Sequence, residues 1–119
     1  MFESGEMYLE TILNISEKKG NVRAVDIIEE LGYSKSSVSR GVHLLEKGGY
    51  ITIDENSFIC LTKSGLEDGK KIQEKHKVLT DCLIKIGISR DLAEKDACKI
   101  EHVISQETFD AIKNIERKL

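Results

Sequence analysis

The chain has 119 residues, 39% of them hydrophobic, enough for one domain or two very small ones and too few for a large multi-domain enzyme. Proline and tryptophan are absent, 5% of residues are aromatic and 33% are charged, so long helices are favoured and a mainly α protein is expected. A net charge of −3 excludes bulk electrostatic attraction to nucleic acid, and any such binding must come from a local patch.

A first helix is expected from a cap at Ser4 through Glu17, with Glu6 well placed near the positive end of the helix dipole. Tyr8, Leu9, Ile12, Leu13 and Ile15 form its apolar stripe, while Met7, Glu10, Thr11 and Asn14 fall opposite, which puts a methionine on a polar face. Gly20-Asn21 ends this helix, and residues 25–31 read as a short second helix closed by Gly32. Ser34 caps a third helix running to Lys47, with Val38, Val42 and Leu45 inward and Ser36, Ser37, Ser39, Arg40 and His43 outward. After Gly48-Gly49, residues 50–53 and 58–61 are β-rich runs around the polar loop 54–57, a two-stranded wing.

Thr62 caps a long helix whose Ile72, His76, Leu79, Leu83 and Ile86 are spaced 4, 3, 4, 3 and form a seam ending at Gly87. Ser89 caps a further helix through about Val103, and Ser105 starts a last one carrying Phe109, Ile112 and Ile115. The boundary is expected inside the long helix, with a winged helix-turn-helix domain over 1–70 and a helical domain over 71–119. No apolar run approaches the ~18 residues of a membrane span and no export signal opens the chain, so a cytoplasmic protein with no membrane partner is expected.

Two short helices, a turn at Gly32-Tyr33-Ser34 and then a hairpin follow the order of a winged helix-turn-helix, whose second helix enters the major groove of double-stranded DNA. Ser34, Lys35, Ser36, Ser37, Ser39 and Arg40 are the candidate contacts. Small hydroxyls at the helix start let it approach phosphates, and a bidentate Arg40 suits guanine O6 and N7. An ordinary capped surface helix would show the same serines, but not the hairpin after it. Weak local charge calls for a dimer that reads two half-sites.

A second signal lies near the C-terminus. Cys60, Cys82 and Cys98 form no CxxC pair and are expected as free thiols. On the helix after Ser89, Leu92, Ala93, Ala97, Ile100, Val103 and Ile104 define the inward side, and Asp91, Glu94, Cys98, Glu101 and His102 the opposite one. Cys98, Glu101 and His102 stand at i, i+3 and i+4, and thiolate, carboxylate and imidazole together suit a divalent transition metal. The misplaced Met7 is a fourth candidate donor, and Glu10 and His76 are candidates for a second ion or for orienting the first set. Taken singly, each has a blander reading, Cys98 as a small buried hydrophobe and His76 as a core histidine.

The chain resembles the diphtheria toxin repressor type of iron- and manganese-dependent transcriptional regulators. The similar segments are Ser-Gly-Glu-Met-Tyr-Leu-Glu-Thr-Ile (4–12), Val-Arg-Ala-Val-Asp-Ile-Ile-Glu-Glu-Leu (22–31), Ser-Ser-Val-Ser-Arg (36–40), Leu-Thr-Lys-Ser-Gly (61–65), Glu-Lys-His-Lys-Val-Leu (74–79) and Asp-Ala-Cys-Lys-Ile-Glu-His-Val-Ile-Ser (96–105). The resemblance implies a homodimer, with a helical metal-binding and dimerisation domain after the winged helix, in which Fe(II) or Mn(II) switches on operator binding. It implies a primary site of Met7, Cys98, Glu101 and His102, of the iron type, since manganese-type members carry carboxylates at the positions of Met7 and Cys98. It implies a second site of His76 with Glu10 or Glu94, from which the chain departs by having Thr80 and Glu94 where an acid and a histidine are usual. It also implies a short form without the SH3-like domain of longer members.

Sulfur donors favour Fe(II), with Mn(II) possible and Co(II), Ni(II) or Zn(II) as substitutes in vitro. The expected mechanism is an ion that ties the first helix to the C-terminal cluster and so selects one spacing of the recognition helices, without a small-molecule substrate. Two alternatives differ in class: a winged-helix regulator responding to a non-metal ligand, and a thiol enzyme using Cys98 with His102. The second has poor geometry, with both residues on one helix and no oxyanion-hole element.

Overall fold

The computed structural model describes residues 3–119, which form six helices and a two-stranded sheet in the order α1 (Glu3–Lys19), α2 (Ala24–Leu31), α3 (Lys35–Lys47), β1 (Ile51–Ile53), β2 (Ile59–Leu61), α4 (Lys63–Lys85), α5 (Arg90–Ile100) and α6 (Gln106–Glu116). Two compact units divide the chain, residues 1–70 and 71–119, with the division inside α4.

In the first unit three helices close over a core of Leu9, Ile12, Leu13, Val22, Ile27, Val38, Val42 and Leu45, to which the sheet adds Ile51 and Ile59. Ser4 lies inside α1 and is not its cap, and the cap position falls outside the described residues. The helix also runs two residues beyond Glu17, to Lys19, where two lysines face the negative end of its dipole. Its opposite face is not solvated as the periodicity predicts: every residue from Tyr8 to Leu13 is buried, Glu10 and Thr11 included, and Asn14 alone of the polar set is exposed. Thr11 meets the cost of burial by donating its hydroxyl to the Met7 carbonyl at 2.8 Å.

Gly32 closes α2 at φ +70, a left-handed conformation that glycine adopts without steric cost, and Ser34 caps α3 by accepting the Ser37 amide at 3.1 Å. The wing pairs antiparallel, Ile51 with Leu61, Thr52 with Cys60 and Ile53 with Ile59. Its rim is drawn by Asp54, whose carboxylate accepts the amides of Asn56 and Phe58, both at 2.9 Å. A single bridge, from the Ile59 amide to the Val22 carbonyl at 2.7 Å, ties the wing to the segment before α2.

At the start of α2, Asp26 accepts the Arg23 amide at 2.8 Å and receives Lys19 Nζ at 2.6 Å. The lysine hydrogen bond first, then the amide, hold its carboxyl below the usual carboxylate range. A folded-state pKa below the unfolded one gives stability that is present above about pH 4 and is lost as pH falls through the depressed value. Asp26→Asn should therefore cost about 1 kcal/mol in urea unfolding at pH 7 and nothing near pH 2. Equal costs at both pH values would contradict this origin.

The second unit packs Leu79 of α4, Ala97 of α5 and Phe109 of α6 together, with Val78, Ile100, Ile104 and Ile112 around them. Ser89 and Ser105 cap α5 and α6 through the amides of Leu92 and Thr108. The seam on α4 stops short of expectation, because the helix ends at Lys85 and Ile86 is exposed in the turn that follows. Helix α5 likewise ends at Ile100, not near Val103. Its inward side keeps Ala93, Ala97 and Ile100, with Ile104 just beyond it, while Leu92 and Val103 are exposed, so the apolar side is narrower than the one read from the sequence.

Candidate metal centre and nucleic-acid interface

The three C-terminal candidates are brought together, though not by one helix. Cys98 stands in the last turn of α5, and Glu101 and His102 lie in the turn after it. Ligand atoms of Cys98, Glu101 and His102 all lie within 4.8 Å of one another. Glu101 was expected on an outward face but is 1% exposed, although its backbone stays helical and its amide still donates to the Ala97 carbonyl. His76 Nδ1, from α4, is hydrogen-bonded to Glu101 Oε2 at 2.9 Å, and His102 Nε2 stands 3.2 Å from Glu101 Oε1. One carboxylate oxygen is thus hydrogen-bonded to His76, and the other stands near His102.

This donor set fits a divalent transition metal. A buried carboxylate needs positive charge nearby, supplied by protonated imidazole or by a cation that both imidazoles can ligate as neutral bases. The thiol, carboxylate and imidazole types span the soft-to-hard range that first-row metals accept. His76 therefore joins the cluster around Glu101 rather than standing apart from it. Glu94 is different, half-exposed with its carboxylate 3.9 Å from Arg90. In the first unit Met7 is half-buried and Glu10, one turn on along α1, is buried at 8% exposure.

Helix α3 presents Lys35, Ser36, Ser39 and Arg40 to solvent, with Ser34 exposed at its cap and Ser37 half-buried. The Ser34 hydroxyl donates to Ser37 Oγ at 2.9 Å while accepting the Ser37 amide, so this pair is committed to starting the helix. A cleft of about 470 Å³ between the start of α2, α3 and the wing is lined by Arg23, Val25, Ser39, His43, Ile53 and Ser57. The Arg23 guanidinium lies over the Phe58 ring, 4.3 Å from its centroid.

Sequence reading missed one contact here. Tyr8 of α1 enters α3 at Gly41, where an added Cβ would lie 2.1 Å from the ring. The available signal was Gly41 itself, a poor helix former in the middle of a helix.

A winged helix-turn-helix followed by a helical unit with transition-metal donors defines the class of metal-dependent transcriptional regulators. Residues 1–57 match the family described as iron dependent repressor, N-terminal DNA binding domain, and residues 62–118 the one described as iron dependent repressor, metal binding and dimerisation domain. The chain belongs to the iron-dependent repressor family, whose members regulate transcription and are not enzymes. It is 33% identical over 115 residues to an uncharacterized HTH-type transcriptional regulator of Methanocaldococcus jannaschii, covering 95% of this chain and 92% of that one. It is 35% identical over 112 residues to the HTH-type transcriptional regulator MntR of Listeria welshimeri, covering 94% and 79%.

Among solved structures, the manganese regulator SloR superposes with a TM-score of 0.84 at 22% identity, over 97% of this chain and 54% of that one. T. acidophilum IdeR gives 0.80 at 27% identity, over 95% and 53%. The chain spans about half the length of these two structures.

Proposed function

We propose that this chain is a repressor that binds operator DNA as a homodimer when loaded with Fe(II), with Mn(II) as the second activating ion. The observation that carries this reading is the buried Glu101 carboxylate, flanked by His76 and His102 and within 4.8 Å of the Cys98 donor. The proposed primary ligands are Met7, Cys98, Glu101 and His102. His76, with Glu10 or Glu94, is proposed for a second ion, and Glu101, which has an oxygen toward each imidazole, suits the role of shared ligand.

A bound ion supplies Lewis-acid attraction that holds these donors in one arrangement. Glu101 and the two imidazoles orient one another before loading, and Cys98 contributes the soft donor that favours Fe(II) over Mn(II). The relative named MntR and the manganese regulator SloR support Mn(II) as an alternative for this chain. On α3, the exposed Lys35, Ser36, Ser39 and Arg40 are proposed to meet phosphates and base edges, with Ser34 and Ser37 aiming the helix start.

The test is an anaerobic mobility-shift series on a duplex selected from a random pool, with Fe(II), Mn(II), Co(II), Ni(II) or Zn(II) added singly. The expected result is at least tenfold tighter binding with Fe(II) than without metal, Mn(II) following, and a stoichiometry of two chains per duplex. Equal binding across all metals and the metal-free protein would leave a winged-helix regulator of another ligand. Cys98 must be kept reduced, since its oxidation removes the thiolate.

A further inference from the structure

Tyr8 occupies a position that neither metal binding nor DNA contact explains. It lies on α1 between Met7 and Glu10, and its side chain is directed at three successive parts of the recognition element. Its ring meets the Tyr33 ring edge-to-face at 6.1 Å between centroids, in the turn before α3. Its hydroxyl donates to the Ser37 carbonyl at 3.3 Å, in the first turn of α3. Its ring edge fills the space above Gly41, one turn further on, where no other residue type fits without displacing it.

Tyr8 is 5% exposed, so the ring has little room to withdraw.

We infer that Tyr8 is the positioning residue of the recognition helix: its ring, seated over Gly41 and hydrogen-bonded to the Ser37 carbonyl, makes α1 and the DNA-reading part of α3 one rigid element. Arg40 adjoins Gly41 and Ser39 stands two residues before it, so a shift of α3 about this contact moves the side chains proposed to read bases. A displacement of about 1 Å at such a site is enough to break bidentate geometry. With Met7 and Glu10 on the same helix, whatever orders α1 there also orders α3. This last consequence rests on the regulatory reading above, whereas the positioning of α3 does not.

The experiment compares full-length wild type with Tyr8→Leu, Tyr8→Phe and Gly41→Ala. Each is measured for melting temperature, for affinity toward Mn(II) alone by calorimetry, and for affinity toward the selected duplex relative to a scrambled one. Gly41→Ala and Tyr8→Leu should remain folded and bind Mn(II) within about threefold of wild type, yet lose at least tenfold in discrimination between the duplexes. Tyr8→Phe, which keeps the ring, should lose no more than about threefold in discrimination.

Wild-type discrimination in Gly41→Ala and Tyr8→Leu would overturn the proposal, as would a loss that only follows the unfolded fraction. Should either variant fail to fold, the other and Tyr8→Phe still decide: parallel losses of discrimination and melting temperature in these two overturn the proposal. If wild type itself gains nothing from Mn(II) or Fe(II), the regulatory reading fails, while the discrimination data still judge Tyr8.

Discussion

Glu101→Gln should weaken Fe(II) and Mn(II) binding by at least 100-fold in anaerobic titration and remove the metal-dependent gain in DNA affinity. Loss of an outer partner of a ligand costs roughly 10- to 100-fold in metal affinity, and a direct carboxylate donor stands above that range. The amide retains the shape of the side chain, but it brings no charge and offers a single carbonyl oxygen where Glu101 now places one oxygen 2.9 Å from His76 Nδ1 and another 3.2 Å from His102 Nε2. The charge beside both imidazoles is therefore lost at once. Binding of either ion at wild-type strength would remove Glu101 from the ligand set. The same substitution separates metal sensing from folding, because the core of this unit is formed by Leu79, Ala97 and Phe109.

The largest expected stability effect lies elsewhere, at Gly65. A Cβ built there falls 1.9 Å from the Tyr50 carbonyl oxygen, and backbone cannot rotate away as a side chain can. The surroundings are already committed: Thr62 donates its amide to that same carbonyl at 3.0 Å and its hydroxyl to the Gly49 carbonyl at 2.7 Å, and it accepts the Gly65 amide at 3.1 Å. The start of α4 is thereby pinned to the junction between α3 and the wing. Gly65→Ala must break part of this arrangement, and about 3 kcal/mol or more of destabilisation is expected, visible as a fall in Tm on the order of 10 °C or more. A Tm within about 2 °C of wild type would show that α4 can shift without cost.

Much of the fold was legible because its signals are local. Ser34, Thr62, Ser89 and Ser105 accept the amide three residues on and Gly32 donates its amide to the carbonyl four residues back, so caps and turns at those positions follow from the residues themselves. The wing was equally plain, as β-branched runs flank an Asp54 that organises its own loop. The candidates Cys98, Glu101 and His102 were singled out from their types and spacing, and their ligand atoms lie within 4.8 Å of one another. Where each helix stops was harder to read. Periodicity carried α5 on to Val103, whereas it ends at Ile100, and periodicity likewise put Glu101 on the surface, whereas packing buries it.

The order of the helices and the wing, and the closeness of Cys98, Glu101 and His102 in the chain, follow from the sequence, because caps, strand composition and residue spacing act over a few residues of chain. Tertiary structure alone decided how they meet. The pairing of His76 with Glu101 spans 25 residues and the seating of Tyr8 over Gly41 spans two helices, and both depend on how whole helices pack. Burial of Glu10 and Thr11 on a face that looks polar has the same origin, since hydropathy records what a side chain prefers and packing settles what it receives.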